Sequence, residues 1–250
     1  MTSINLQIKD RVARITLTRP EKRNAMSADM MDQLTAAAND ISVNEKVDLV
    51  YLSADGPAFC AGADLAWMQA QIEADRAGKM AEATRLSNML LTLRNMKQPI
   101  VTYAHGAVFG GGLGLLAVSD IVYLQSDTKL SFSETKLGLI PATIGPFVYR
   151  KLGASLARQM FISAEVFDAD RAKFAGLAHH VVDDEVSALE GLEKLKSNGP
   201  DAMATAKKYA AQLEGAFETD IDTSIELLAD TWESTEAQTR IAAFLNKGKA

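Results

Sequence analysis

The chain has 250 residues, of which 48% are hydrophobic and 23% charged, with a formal net charge of −6. That is enough apolar sequence to bury a substantial core, and it excludes a disordered chain. The acidic balance argues against a general nucleic-acid binder, and the lone Cys60 excludes an intrachain disulfide or a four-cysteine zinc site.

At the N-terminus, Met1 to Lys9 has no apolar run behind a basic start, so no signal peptide is expected. Ile4, Leu6 and Ile8 alternate with polar residues, and Val12, Ile15 and Leu17 come next, which predicts two short strands joined at Lys9–Arg11. A polar loop, Arg19 to Asn24, carries three basic residues. Ser27 is placed to cap a helix whose apolar positions are Met30, Met31 and Leu34. A strand is predicted over Val47–Leu52, and Phe59–Asp64 reads as a small-residue loop leading into a helix from Leu65. A longer helix is expected over Met80–Met96, stopped by Pro99, with a strand over Ile100–Tyr103. The run Gly106 to Gly114 opens a short buried helix ending near Ser119. Strand Ile121–Leu124 and the extended piece Lys129–Ser133 come after it, and from Gly145 the pattern is helical apart from Val181–Val182. The turn-rich Ser197–Pro200 marks a boundary between a core, 1–197, and an all-helical region, 198–250. The longest apolar stretches, such as Leu113–Val118, fall far short of the ~20 residues a membrane span needs. The expectation is a cytoplasmic protein without membrane or nucleic-acid partners.

Four features bear on chemistry. The glycine run does not fit a dinucleotide fingerprint, because the third glycine would fall on Leu115. Glycines at a helix start can instead aim a backbone N–H into a cavity, or merely allow close packing. Cys60–Asp64 has the same small-residue character, and two such segments suggest paired N–H donors around one oxygen. Glu134 is the only carboxylate between Asp127 and Glu165; it either titrates near neutrality in an apolar pocket or pairs with Lys136 on a surface turn. His179 and His180, adjacent on an extended segment, point to opposite faces, so no metal site is assigned.

In order and spacing, these segments resemble the enoyl-CoA hydratase/isomerase (crotonase) superfamily. The resemblance runs from Ile15–Ala25 through Phe59–Leu65, Gly106–Gly114, Leu137–Pro141, Ala169–Ala172 and Gly176–Leu177 to Ala243–Leu245. It implies an α/β fold, a spiral of β-β-α turns with a C-terminal helical region that builds trimers or dimers of trimers. It also implies an acyl-CoA thioester as substrate and no further cofactor. By motif position, the N–H groups of Ala61 and Gly111 would hold the thioester oxygen as an enolate. Ala61, Gly62, Ala63 and Asp64 would line the acyl-CoA site, with Lys22 and Ala25 near the CoA.

Typical hydratases of the family carry two glutamates. Here the first position falls on Gly114 and the second on Glu134. Phe109–Leu115 and Ser133–Val148 are similar to bacterial methylglutaconyl-CoA hydratases, which implies hydration of 3-methylglutaconyl-CoA or a related branched 2-enoyl ester by one glutamate. The alternatives are a Δ3,Δ2-enoyl-CoA isomerase and a non-catalytic acyl-CoA-binding member.

Overall fold

The computed structural model describes residues 2–214 and 218–247; the Lys247 side chain, which the sequence leaves as a possible CoA contact from a neighbouring subunit, lies outside the described residues. Strands β1 (Ile4–Lys9) and β2 (Val12–Leu17) form the predicted hairpin, with Ile4 opposite Leu17 and Lys9 opposite Val12. Asp10 and Arg11 turn it with φ of 50° and 62°, the left-handed pair that matches strand twist in a two-residue hairpin.

From β2 onward the chain winds as a spiral. Each turn places one longer strand in a first sheet and one short strand in a second. The first sheet adds β3 (Leu49–Ala54), β5 (Ile100–Ala104), β7 (Ile121–Gln125) and β10 (His180–Val182), in the order β1-β2-β3-β5-β7-β10. Every pairing after the hairpin is parallel. The second sheet holds β4 (Cys60–Ala61), β6 (Ala107–Phe109) and β8 (Lys129–Ser131) in parallel, with β9 (Phe167–Asp168) antiparallel at its edge. Parallel neighbours need crossovers, and helices supply them, among them α2 (Leu65–Glu73), α3 (Arg76–Arg94) and α4 (Gly111–Val118).

Two expectations shift. The segment read as a loop around Cys60, and the run read as opening a helix around Val108, hold strands of two and three residues, too short to show a period of two. Helix α3 starts at Arg76 rather than Met80, because the Asp75 carboxylate accepts the Gly78 N–H at 2.8 Å and caps it there. Ser27 caps α1 (Ala28–Ser42) as expected, accepting the Met30 N–H at 3.3 Å.

One face of the first sheet packs on α1 and α3 through Ile15, Val50, Leu34 and Leu90. The other carries Tyr51, Tyr103 and Tyr123 against Ala188 and Leu192 of α7 (Glu185–Leu195). Beyond Pro200, α8 (Pro200–Leu213), α9 (Glu218–Glu233) and α10 (Thr235–Lys247) fold back on this same chain. Ile221 and Ile225 of α9 join the main core, and Lys207 of α8 donates to Asp120 at 2.8 Å. The helical region therefore shares a core with residues 1–197.

Candidate active site

The second sheet builds the site. Its register sets Ala61 beside Phe109 and Phe109 beside Ser131, so the C-terminal ends of β4, β6 and β8 lie together. The segments leaving these three strands converge at that edge: Gly62–Asp64, Gly110–Gly111 and Glu134. Gly110 has φ 49° and ψ −118°, a conformation open to glycine. A Cβ on it would lie 3.6 Å from both Glu134 Oε1 and Gly62 Cα, so the three loops touch.

Glu134 opens a 3-10 turn, Glu134–Leu137. Its Oε2 is buried with no hydrogen-bond partner, and Lys136 is exposed, so no surface salt bridge to Lys136 occupies that oxygen. Burial pushes the carboxyl up to about 7, against a smaller downward pull from its own backbone N–H. A proton can therefore be taken and returned near neutral pH.

Gly111 is the first residue of α4, where the N–H has no intrahelical acceptor and the helix dipole favours negative charge. Ala61 is a correction. Its N–H donates to the Arg23 carbonyl at 3.0 Å and is not free. Three residues past Arg23, Met26 donates to Gly62 O at 2.7 Å and accepts from Asp64 N at 2.9 Å. That bridge flanks Ala63 and leaves the Ala63 N–H outside the ladder. Ala63 and Gly111 are thus the N–H groups at this edge that lie outside the ladder and the helix bonds.

The Asp64 side chain, expected to line the acyl-CoA site, is a latch within the chain. Oδ1 accepts the Ala66 and Trp67 N–H groups at 2.9 and 3.3 Å, capping α2, while Oδ2 pairs with Arg19 at 2.9 Å. Burial alone would push its carboxyl up, but Arg19 and the two N–H groups hold it below the usual range. Arg19 also donates to the Ala25 carbonyl at 3.0 Å, and the Ala25 N–H to Lys22 O at 3.0 Å, so Ala25 is buried inside the loop. Lys22 and the neighbouring Arg23 are both exposed on this loop. Sequence reasoning missed Asn24, which holds the loop: it is fully buried at φ 52°, donates to Asp55 O and Ala58 O at 2.8 Å, and accepts from Arg19 N. Asp64→Ala removes a cap and strands a half-buried guanidinium. It should destabilise the fold by about 2–4 kcal/mol, read as a lower urea midpoint with unchanged slope.

Three further polar side chains, His105, Ser131 and His179, are bonded elsewhere. His105 Nε2 lies 2.8 Å from Gly56 O, Ser131 Oγ donates to Ala164 O at 3.2 Å, and His179 Nδ1 accepts the Val122 N–H at 2.9 Å. Cys60 is fully buried and its thiol is pushed up by burial to about 11. Iodoacetamide should leave Cys60 unmodified in the native protein and label it only after unfolding, as read by intact mass.

The Gly114 position is filled by others. A Cβ there would fall 2.8 Å from Ile144 Cγ2 and 3.0 Å from Leu90 Cδ1. No second carboxylate fits at that point of α4. A cleft of about 410 Å³ beside α5 (Gly145–Ser163) and α9 is lined by Ala142, Gly145, Tyr149 and Leu227 and does not include Glu134.

The chain matches the family model described as enoyl-CoA hydratase/isomerase over residues 7–250. It is 28% identical over 261 aligned positions to the crotonyl-CoA hydratase of Syntrophomonas wolfei, covering 99% of this chain and 96% of that one. It is 30% identical to the mitochondrial methylglutaconyl-CoA hydratase of Mus musculus, over 76% of this chain and 63% of that protein. Among solved structures, an enoyl-CoA hydratase from Shewanella pealeana superposes with a TM-score of 0.83 at 34% identity, covering 98% of this chain and 94% of that one.

Proposed function

The chain belongs to the enoyl-CoA hydratase/isomerase family, and we propose that it hydrates the double bond of a 2-enoyl-CoA thioester with Glu134 as its single acid–base group. The observation that carries this reading is the buried Glu134 carboxyl, its Oε2 without a hydrogen-bond partner, set against Gly110 and Gly62, the residues that precede Gly111 and Ala63. The thioester oxygen sits between the N–H groups of Ala63 and Gly111. Glu134 takes a proton from water as the water oxygen bonds to the β-carbon. The double-bond electrons move onto the thioester oxygen as an enolate, which the two N–H groups and the α4 dipole stabilise. Glu134 then returns the proton to the α-carbon, so one carboxyl closes the cycle. Every proton and charge step is assigned to groups of this chain, and none to a metal or redox cofactor. Lys22 and the Gly62 loop are assigned to the CoA ester.

Within this class, 3-methylglutaconyl-CoA or a related branched ester is the first candidate, on the strength of the mouse relative. Isomerisation of a 3-enoyl ester is the second reading, favoured by the filled Gly114 position, because moving a proton between carbons needs only one carboxyl. Incubation in ¹⁸O-labelled water with 3-methylglutaconyl-CoA, and separately with a 3-enoyl-CoA ester, separates them. Hydration removes the conjugated absorbance and adds one labelled oxygen; isomerisation of a 3-enoyl ester creates that absorbance and adds none. Binding without either change would instead support a non-catalytic acyl-CoA-binding role.

A homotrimer, or a dimer of trimers built through the C-terminal helices, is part of the proposal. Tyr209, Leu213 and Phe244 stay exposed on those helices and give them apolar surface to bury. No helix among the described residues is long and apolar enough to cross a membrane, and a cytoplasmic location is proposed.

A further inference from the structure

We propose that Ala237 and Ile241 of α10 are positioning residues, which seat the Glu134 turn and, through α2, the Ala63 segment in the geometry the chemistry needs. The inference rests on Glu134 as the acid–base group and adds what holds that group in place. The Glu134 side chain does little to hold itself: its Oε2 has no hydrogen-bond partner. The turn that carries it closes on its own backbone. The Leu139 N–H donates to the Glu134 carbonyl at 3.1 Å, and the Gly138 N–H to the Thr135 carbonyl at 3.2 Å. These bonds fix the shape of the turn but not where it stands.

Helix α10 supplies the footing. Gly138, at φ 75°, ends the turn directly against the first turn of α10, where a Cβ on it would lie 2.9 Å from both Cα and N of Ala237. Backbone meets backbone there, an approach that glycine allows. The next residue, Leu139, is buried in one apolar cluster with Ala237, Ile241, Trp232 and Met68. Met68 belongs to α2, and its N–H donates to the Asp64 carbonyl at 2.9 Å, one residue past Ala63. Ala63 itself packs against the same cluster. A single apolar contact therefore joins the turn that bears the carboxyl, the segment that bears one N–H donor, and α10. Ala237 and Ile241 are both fully buried in it, so their side chains have no freedom to shift without moving the turn.

The test compares the parent with Ile241→Ala, Ile241→Val, Gly138→Ala and Leu192→Ala, each in the full chain. Gly138→Ala wedges a methyl against the Ala237 backbone and parts the same contact from the other side. Leu192, fully buried on α7 across the first sheet, is the control for plain loss of packing. Amide hydrogen exchange needs no turnover. It should be roughly tenfold or more faster over Leu137–Leu139 in Ile241→Ala and Gly138→Ala, and close to the parent in Ile241→Val and Leu192→Ala. In the hydration assay, kcat should fall at least roughly fivefold in Ile241→Ala and Gly138→Ala with KM within about twofold of the parent. Ile241→Val should restore most of that loss, and Leu192→Ala should leave kcat near the parent. Parent-like exchange and kcat in Ile241→Ala and Gly138→Ala would overturn the positioning role, and so would an equal fall of kcat in Leu192→Ala. A parent that turns over no enoyl-CoA ester would overturn the acid–base reading instead. Exchange at the turn would then still decide whether α10 holds it.

Discussion

Glu134→Gln is expected to lower turnover by roughly 10²–10⁴-fold while leaving CoA-ester binding within a few-fold of the parent. Glutamine keeps the shape and polarity of the side chain but cannot exchange the proton. The same variant should be more stable at alkaline pH. The folded-state carboxyl of Glu134 titrates at about 7, above the ordinary 4.5, because burial disfavours its charge. A carboxyl raised in this direction costs the fold nothing below pH 4.5, where it is neutral in both states. As pH rises through about 7, the folded chain must carry the charge buried, and the cost reaches about 3 kcal/mol at most. Glutamine removes that cost. Urea melts at roughly pH 5 and pH 8.5 should therefore show parent and variant nearly equal at the first and the variant ahead at the second. A variant that is equally active, or no more stable at the alkaline pH, would remove Glu134 from the centre of the chemistry.

Gly114→Glu should fail to create a two-carboxylate hydratase. The new Cβ would stand 2.8 Å from Ile144 Cγ2 and 3.0 Å from Leu90 Cδ1, and the charge would enter an apolar contact. Overpacking and an unpaired buried charge together should destabilise by about 3 kcal/mol or more. Even Gly114→Ala should lose about 1–3 kcal/mol. Adding Ile144→Ala to Gly114→Glu removes the closest methyl and should recover part of the loss, a coupling that a double-mutant cycle on urea midpoints would read. Wild-type stability and raised turnover in Gly114→Glu would show that the position is open.

The sequence carried the parts of this structure that are local. The β1–β2 hairpin shows in the alternation of Ile4, Leu6 and Ile8, the start of α1 in Ser27, and the glycine-led start of α4 in Gly110–Gly112. Glu134 could be singled out because its neighbours are apolar or small, and the structure buries it. Strands β4, β6 and β9 were not legible, because two or three residues cannot show a period. The choice between Ala61 and Ala63 was not legible either. It depends on the Arg23 carbonyl, 38 positions away, turning back to take the Ala61 N–H. The Arg19–Asp64 pair and the Leu90–Gly114–Ile144 contact are likewise products of the spiral, joining residues that only the fold brings together. Gly114 read in sequence as a missing carboxylate; in the fold it is a site where other side chains need the room.

The measurement that bears most directly on a single-carboxylate hydratase is the pH dependence of kcat/KM for loss of enoyl-thioester absorbance between roughly pH 5 and 9. Ionised Glu134 takes the first proton, so the rate should rise with pH and level off with a midpoint near 7, the value to which burial pushes this carboxyl. The rise should vanish in Glu134→Gln. A flat profile in the parent enzyme, or the same rise in Glu134→Gln, would contradict the assignment and move the chemistry to another group.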